Sequence, residues 1–117
     1  MAVENKENSL KVLWHSPDKE TALGLALLYT KNAKLRGWWE NVEIIIWGGA
    51  SMLAATDKDV QDEIKDLMQV GIVVKACRGC AIKFGVEEEI AAIGVPVLSM
   101  GPQLSEYLHE GYTVLSV

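Results

Sequence analysis

The chain has 117 residues, of which 50% are hydrophobic and 23% charged. That length suits one folded domain over residues 1–117, with a radius of gyration of about 13 Å; two domains would each be too small to bury a useful core. Sixteen Asp and Glu stand against eleven Lys and Arg, a net charge of −5. With no basic cluster to interrupt that acidity, a nucleic-acid-binding role is disfavoured. The first eight residues are polar and acidic, unlike a signal peptide, and no run approaches the ~18 apolar residues of a membrane span. These readings place the chain in the cytoplasm, away from membranes.

Short β-rich runs alternate with helical stretches along the whole chain, the pattern of a mainly parallel sheet covered by helices. The first strand is expected at Leu10–Trp14. Ser16-Pro17-Asp18 reads as a helix start, with Ser16 as cap and Pro17 in the first helical position. This helix runs to about Arg36 and stops at Gly37. Its middle, Ala22 to Tyr29, is apolar nearly all round, which fits either a subunit interface or tight packing inside the domain.

The second strand, Val42–Trp47, contains Ile44-Ile45-Ile46 without alternation, as a central strand covered on both faces would. Gly48-Gly49-Ala50-Ser51 turns into a short helix over Met52–Ala55. A further helix begins at Thr56, Asp57 and Asp59, sets Val60, Ile64, Leu67 and Met68 on one face, and ends at Gly71. The third strand is expected at Ile72–Ala76. After Cys77-Arg78-Gly79-Cys80 come short helices over Cys80–Phe84 and Val86–Ile93. The fourth strand is placed at Val95–Met100. A helix after Gly101-Pro102 reaches about Glu110, and a fifth strand covers Tyr112–Val117.

Five strands with these helices make a three-layer α/β/α sandwich of Rossmann-like type. Such sheets bind ligands beyond the carboxyl ends of their strands, where the strand order reverses. Those ends carry His15 and Ser16, Gly48 to Ser51, Cys77 to Cys80, and Gly101-Pro102.

The two cysteines hold the most chemical information. Cys77 leaves an apolar strand at a helix start, where backbone N–H groups and the helix dipole favour a thiolate. Arg78 is close in sequence, and Gly79 lets the backbone turn tightly. Set against this, buried cysteines often serve only as small hydrophobes. A structural zinc site would need four ligands, and only His15 and His109 accompany the thiols; no metal or other cofactor is expected. A thioredoxin-like dithiol also uses C-x-x-C after a strand, although usually earlier in the chain.

Several features resemble the DsrE/DsrF-like family, which includes the sulfur-relay protein TusD and the YchN-type small proteins. They are the opening apolar strand, the long helix ending in Lys31, Lys34, Arg36 and Gly37, the Ile45-Ile46-Trp47-Gly48 strand end, and the run Cys77-Arg78-Gly79-Cys80-Ala81-Ile82-Lys83-Phe84-Gly85. The resemblance implies a five-stranded α/β/α sandwich, assembly as a homo-trimer or homo-hexamer, and a persulfide carried on Cys77 and passed to a partner protein. Cys80 departs from the family pattern, which tends to have a small residue there. An auxiliary thiol at that position suits resolution of a persulfide, or a dithiol redox role. The same fold also serves as a non-catalytic ligand-binding or assembly module.

The remaining candidates surround the cysteines. His15 can assist proton transfer or simply hold its turn. Gly48, Gly49 and Ser51 open a helix and can bind an anion, although a plain tight turn explains them as well; the P-loop lysine is missing. Trp14 and Trp47 end two strands and can wall a crevice at Cys77 or fill the core. Trp38 and Trp39 read as a seal on the sheet edge or a subunit contact.

Overall fold

The computed structural model describes residues 4–117. Five strands form one parallel sheet in the order β4-β3-β2-β1-β5: β1 (Ser9–Trp14), β2 (Asn41–Ile46), β3 (Val73–Cys77), β4 (Val97–Leu98) and β5 (Thr113–Ser116). The central position falls to β2, as its unbroken isoleucines predict. The radius of gyration is 13.3 Å.

Strands β1 to β4 step in one direction across the sheet, and the chain then jumps back to place β5 beyond β1. Right-handed crossovers put helices from steps in one direction on one face and a step the other way on the opposite face. The packing follows that rule. Leu10, Val12 and Trp14 of β1, Val42, Ile44 and Ile46 of β2, and Val74 and Ala76 of β3 all face one side. There they meet the helices α1 (Lys19–Thr21), α2 (Leu27–Leu35), α3 (Ala50–Thr56), α4 (Lys58–Gln69), α5 (Arg78–Phe84) and α6 (Glu87–Ala92), or their flanking residues. The other face holds the odd-numbered residues of β1, β2 and β3 together with Leu98 of β4, and is crossed by α7 (Met100–Glu110), whose Met100 and Tyr107 pack against Leu13, Ile45, Cys77 and Leu98.

Local starts and stops differ from the sequence reading in several places; α5, for one, begins at Arg78 and not at Cys80. The first helix begins at Lys19, with Asp18 as its cap: the Asp18 carboxylate accepts from Thr21 N–H at 2.8 Å. Ser16 and Pro17 stay in the loop, where Pro17 packs so tightly on Gly49 that a Cβ there would lie 2.9 Å from the proline ring. Between α1 and α2, residues Ala22–Ala26 form a π-helical stretch, so the three pieces make one continuous helical run with a widened middle. Helix α3 starts at Ala50 rather than Met52. Finally, β4 keeps only Val97–Leu98, and α7 begins at Met100 with Pro102 in its first turn, where a missing N–H costs no helical bond.

Candidate functional site

Three loops lie side by side at the carboxyl ends of β1, β2 and β3. His15 follows β1, and its carbonyl accepts from Ala50 N–H at 3.2 Å. Gly48 follows β2 in the left-handed region, φ 54°, where a Cβ would sit 3.6 Å from the His15 Cβ. The Gly48 N–H in turn donates to the Cys80 sulfur at 3.3 Å. Cys80 lies in the first turns of α5 and packs against the cluster that holds Cys77. The sequence-predicted residues His15, Gly48, Cys80 and Cys77 thus form a contiguous row.

Cys77 is the last residue of β3 and the N-cap of α5, with an extended backbone. Its Sγ lies over the first turn, 3.9 Å from where a Gly79 Cβ would be. Both cysteines are free. Cys77 is 7% exposed, in a small apolar cluster with Ile45, Met100, Leu13, Trp47 and Leu98; Cys80 is half-buried at its border. Burial pushes the Cys80 thiol above its usual range; the Gly48 N–H pulls it down, and the Cys77 side chain pushes it up again.

The other predicted site residues divide. The Arg78 guanidinium donates to the Val97 carbonyl at 2.8 Å and lies 4.0 Å from the Glu87 carboxylate, so those groups hold it at the β4–α6 side. Ser51 is fully buried in α3 with no partner for its hydroxyl, and Gly49 is filled against Pro17. The His15 ring is within 3.1 Å of the Ser116 hydroxyl. The strand order reverses between β1 and β5, and there the Val117 carbonyl accepts from the N–H groups of His15 and Ser16. The thiols therefore sit two strands away from the reversal. Trp47 borders the Cys77 cluster, whereas Trp14 is fully buried in the core on the opposite face. Trp39 packs on that core, but Trp38 is 54% exposed and contacts Tyr29 at a ring separation of 5.8 Å. Among the described residues, no group of three or more His, Cys, Asp or Glu is placed to hold a metal ion. No described helix is long and apolar enough to cross a membrane.

The sequence matches the DsrE/DsrF-like family over residues 13–117. The chain belongs to the DsrE/DsrF-like family. Its fold is similar to that of the conserved protein of unknown function BT1422 from Bacteroides thetaiotaomicron, with a TM-score of 0.93 and 38% identity over 99% of this chain and 100% of that one. The protein of unknown function MTH1491 from Methanobacterium thermoautotrophicum shares the fold at a TM-score of 0.73 and 18% identity, over 93% and 97% of the two chains. The ychN protein of E. coli does so at 0.67 and 15%, over 94% and 98%. No curated protein matches the sequence.

This DsrE/DsrF-like chain also carries a feature that the sequence reading missed. On the cysteine-bearing face each of three adjacent strands carries a charge, buried at Lys11 and Glu43 and half-buried at Lys75. Glu43 of β2 lies 3.0 Å from Lys75 of β3 and 3.8 Å from Lys11 of β1; Lys11 also binds Glu4 at 2.8 Å. The Tyr107 hydroxyl of α7 donates to Glu43 at 2.8 Å, and Lys75 donates to Gln103 at 2.7 Å. The Lys11 ammonium stands 4.5 Å from the centre of the Tyr107 ring. Burial, then the Glu43 carboxylate, holds the Tyr107 hydroxyl well above the ordinary phenol range. A charged residue in the middle of each apolar strand was the available signal. Such a residue reads as solvent-facing until the register shows Lys11 directly beside Glu43.

Proposed function

We propose that this protein is a sulfur carrier of the relay type, in which Cys77 holds a persulfide and Cys80 is its auxiliary thiol. The carrying observation is the placement of two free thiols side by side at a strand-to-helix junction, in a chain of a family associated with sulfur relay. Cys77 stands at the N-cap of α5. In the forward step, the Cys77 thiolate attacks the outer sulfur of a donor persulfide. The donor leaves as a thiolate, and Cys77 gains one sulfur. In the return step, an acceptor's thiolate attacks that outer sulfur, and Cys77 leaves as a thiolate.

The low exposure of Cys77 and its apolar surroundings favour a small neutral or weakly hydrated sulfur species, or an acceptor that brings its thiol right to the cluster. The apolar side chains left outside the core support a homo-oligomer, a trimer or hexamer, working in the cytoplasm: Leu25 and Leu28 on the long helical run are 47% and 48% exposed. Intact mass after incubation with an organic persulfide tests the function. Wild type and Cys80→Ser should gain the mass of sulfur, and Cys77→Ser should not. Closure of a Cys77–Cys80 disulfide without sulfur uptake would favour the dithiol oxidoreductase instead. Two inert thiols would leave a non-catalytic module of this fold.

A further inference from the structure

We propose that Met100 is the specificity-determining residue of the Cys77 site: it closes the α7 side of the thiol and restricts the sulfur donor to a short-chain persulfide that enters uncharged. The inference rests on the reading of Cys77 as the sulfur-bearing thiol, and it names the donor class and the residue that sets it.

The buried members of the cluster are Ile45, Cys77 and Met100. Two walls around Cys77 belong to the sheet. Leu98 of β4 is its partner in register, and Ile45 of β2 pairs with Lys75, two residues before Cys77. Strand pairing fixes the place of both. Met100 comes from the layer above the sheet: it opens α7, two residues after Leu98, and is fully buried. Methionine is unbranched and fills irregular gaps. It is the wall whose length sets the room over Cys77 and whose removal breaks no strand pair.

The lining also selects by charge. Ile45, Leu98, Leu13 and Met100 are apolar, and an ion brought among them loses hydration that they cannot replace. The cations nearest in sequence are engaged. Lys75 is tied to Glu43, Gln103 and Tyr107, and Arg78 is held by Val97 and Glu87. Lys83 is exposed on α5, outside the cluster. A donor carrying carboxylates, such as glutathione persulfide, is therefore too large for the site and poorly matched to it. A short alkyl persulfide in its protonated form fits. The Cys77 thiolate bonds to the outer sulfur, the donor's S–S bond breaks, and the donor leaves as an alkyl thiolate with the electron pair. The S–H proton stays on the transferred sulfur.

Sulfur uptake from methyl persulfide and from glutathione persulfide, read on the Ala76–Arg78 peptide, tests the assignment. The two donors share the reacting S–SH group, and each rate is divided by that of free cysteine with the same donor. Wild type should prefer the methyl donor by at least about tenfold; Met100→Ala should lose most of that preference by speeding the larger donor, and the milder Met100→Val should fall between. A wild type without preference, or one untouched in both Met100 variants, would overturn the assignment. So would an equal loss in Ile44→Ala, which loosens the opposite face. Alkylation of Cys77 by a small and a bulky uncharged haloacetamide, on the same proteins, separates the two ideas. Sulfur uptake with no size preference in either reaction overturns the role of Met100 and leaves sulfur carriage standing; a size preference in alkylation that depends on Met100, without sulfur uptake, does the reverse.

Discussion

The two faces of the sheet are held by different means. The even-numbered face of β1, β2 and β3 is apolar and meets six helices; Ile44, Ile46, Ile64 and Leu67 there are fully buried. The odd-numbered face meets α7, of which only Met100 is fully buried, and divides into two zones. One zone is the charge strip of Lys11, Glu43 and Lys75. The other is the small apolar cluster around Cys77. The difference teaches where this fold can place chemistry. The polar ties to Tyr107 and Gln103 hold that helix over the charge strip, while at the other zone Cys77 is buried and Cys80 half-buried.

The largest expected effect tests whether the charge strip is structural. Glu43→Ala takes the shared carboxylate from the buried Lys11 and the half-buried Lys75, and should cost about 3–5 kcal/mol in urea unfolding. Glu43→Gln, which still accepts a hydrogen bond, should cost less. A negligible cost for both would show that the odd face needs no charge pairing. On the opposite face Ile44→Ala should cost about 2–5 kcal/mol through transfer and cavity terms alone, with no dependence on pH or salt. Tyr107→Phe removes the hydrogen bond to the Glu43 carboxylate and the one accepted from Lys75, and its cost should be about 1.5–3 kcal/mol. If it is neutral, α7 is held by Met100 and not by its polar ties.

Acid sharpens the comparison with the smallest effect. Burial raises the Glu4 carboxyl, but its bonds to Lys11 outweigh that and hold it below its ordinary value of 4.5. A carboxyl lowered in the folded state contributes stability above its unfolded pKa and loses it as pH falls through the folded one. Stability should therefore decline in acid below about pH 4.5, and Glu4→Gln should flatten the decline slightly. An unchanged acid profile in Glu4→Gln would remove Glu4 from the strip's stability.

Much of this fold was legible in the sequence because its signals are local. Ile44-Ile45-Ile46 marked the central strand, Gly37 and Gly71 marked helix ends, and Asp57 marked the start of α4. The misplaced start at Ser16-Pro17 has a non-local cause: Pro17 is claimed by Gly49 of another loop, and Asp18 supplies the cap one turn's edge later. The brevity of β4 is likewise set by β3, which pairs with it only at Ala76 and Cys77. At the site, C-x-x-C after an apolar strand was readable, and so was its neighbourhood of strand-end loops. That Gly48 would touch Cys80, and that Arg78 would turn to Val97, depends on how loops from different strands lie together. The charge strip was invisible for the same reason: Lys11, Glu43 and Lys75 pair only once the strands are in register.

The central claim is that sulfur is carried by Cys77 and not by Cys80. Trypsin cuts after Lys75, Arg78 and Lys83, so it separates the two cysteines onto different peptides. Wild-type protein loaded from an organic persulfide, capped with an alkylating agent and digested should show the extra sulfur on the Ala76–Arg78 peptide alone. The added sulfur on the Gly79–Lys83 peptide would contradict the account.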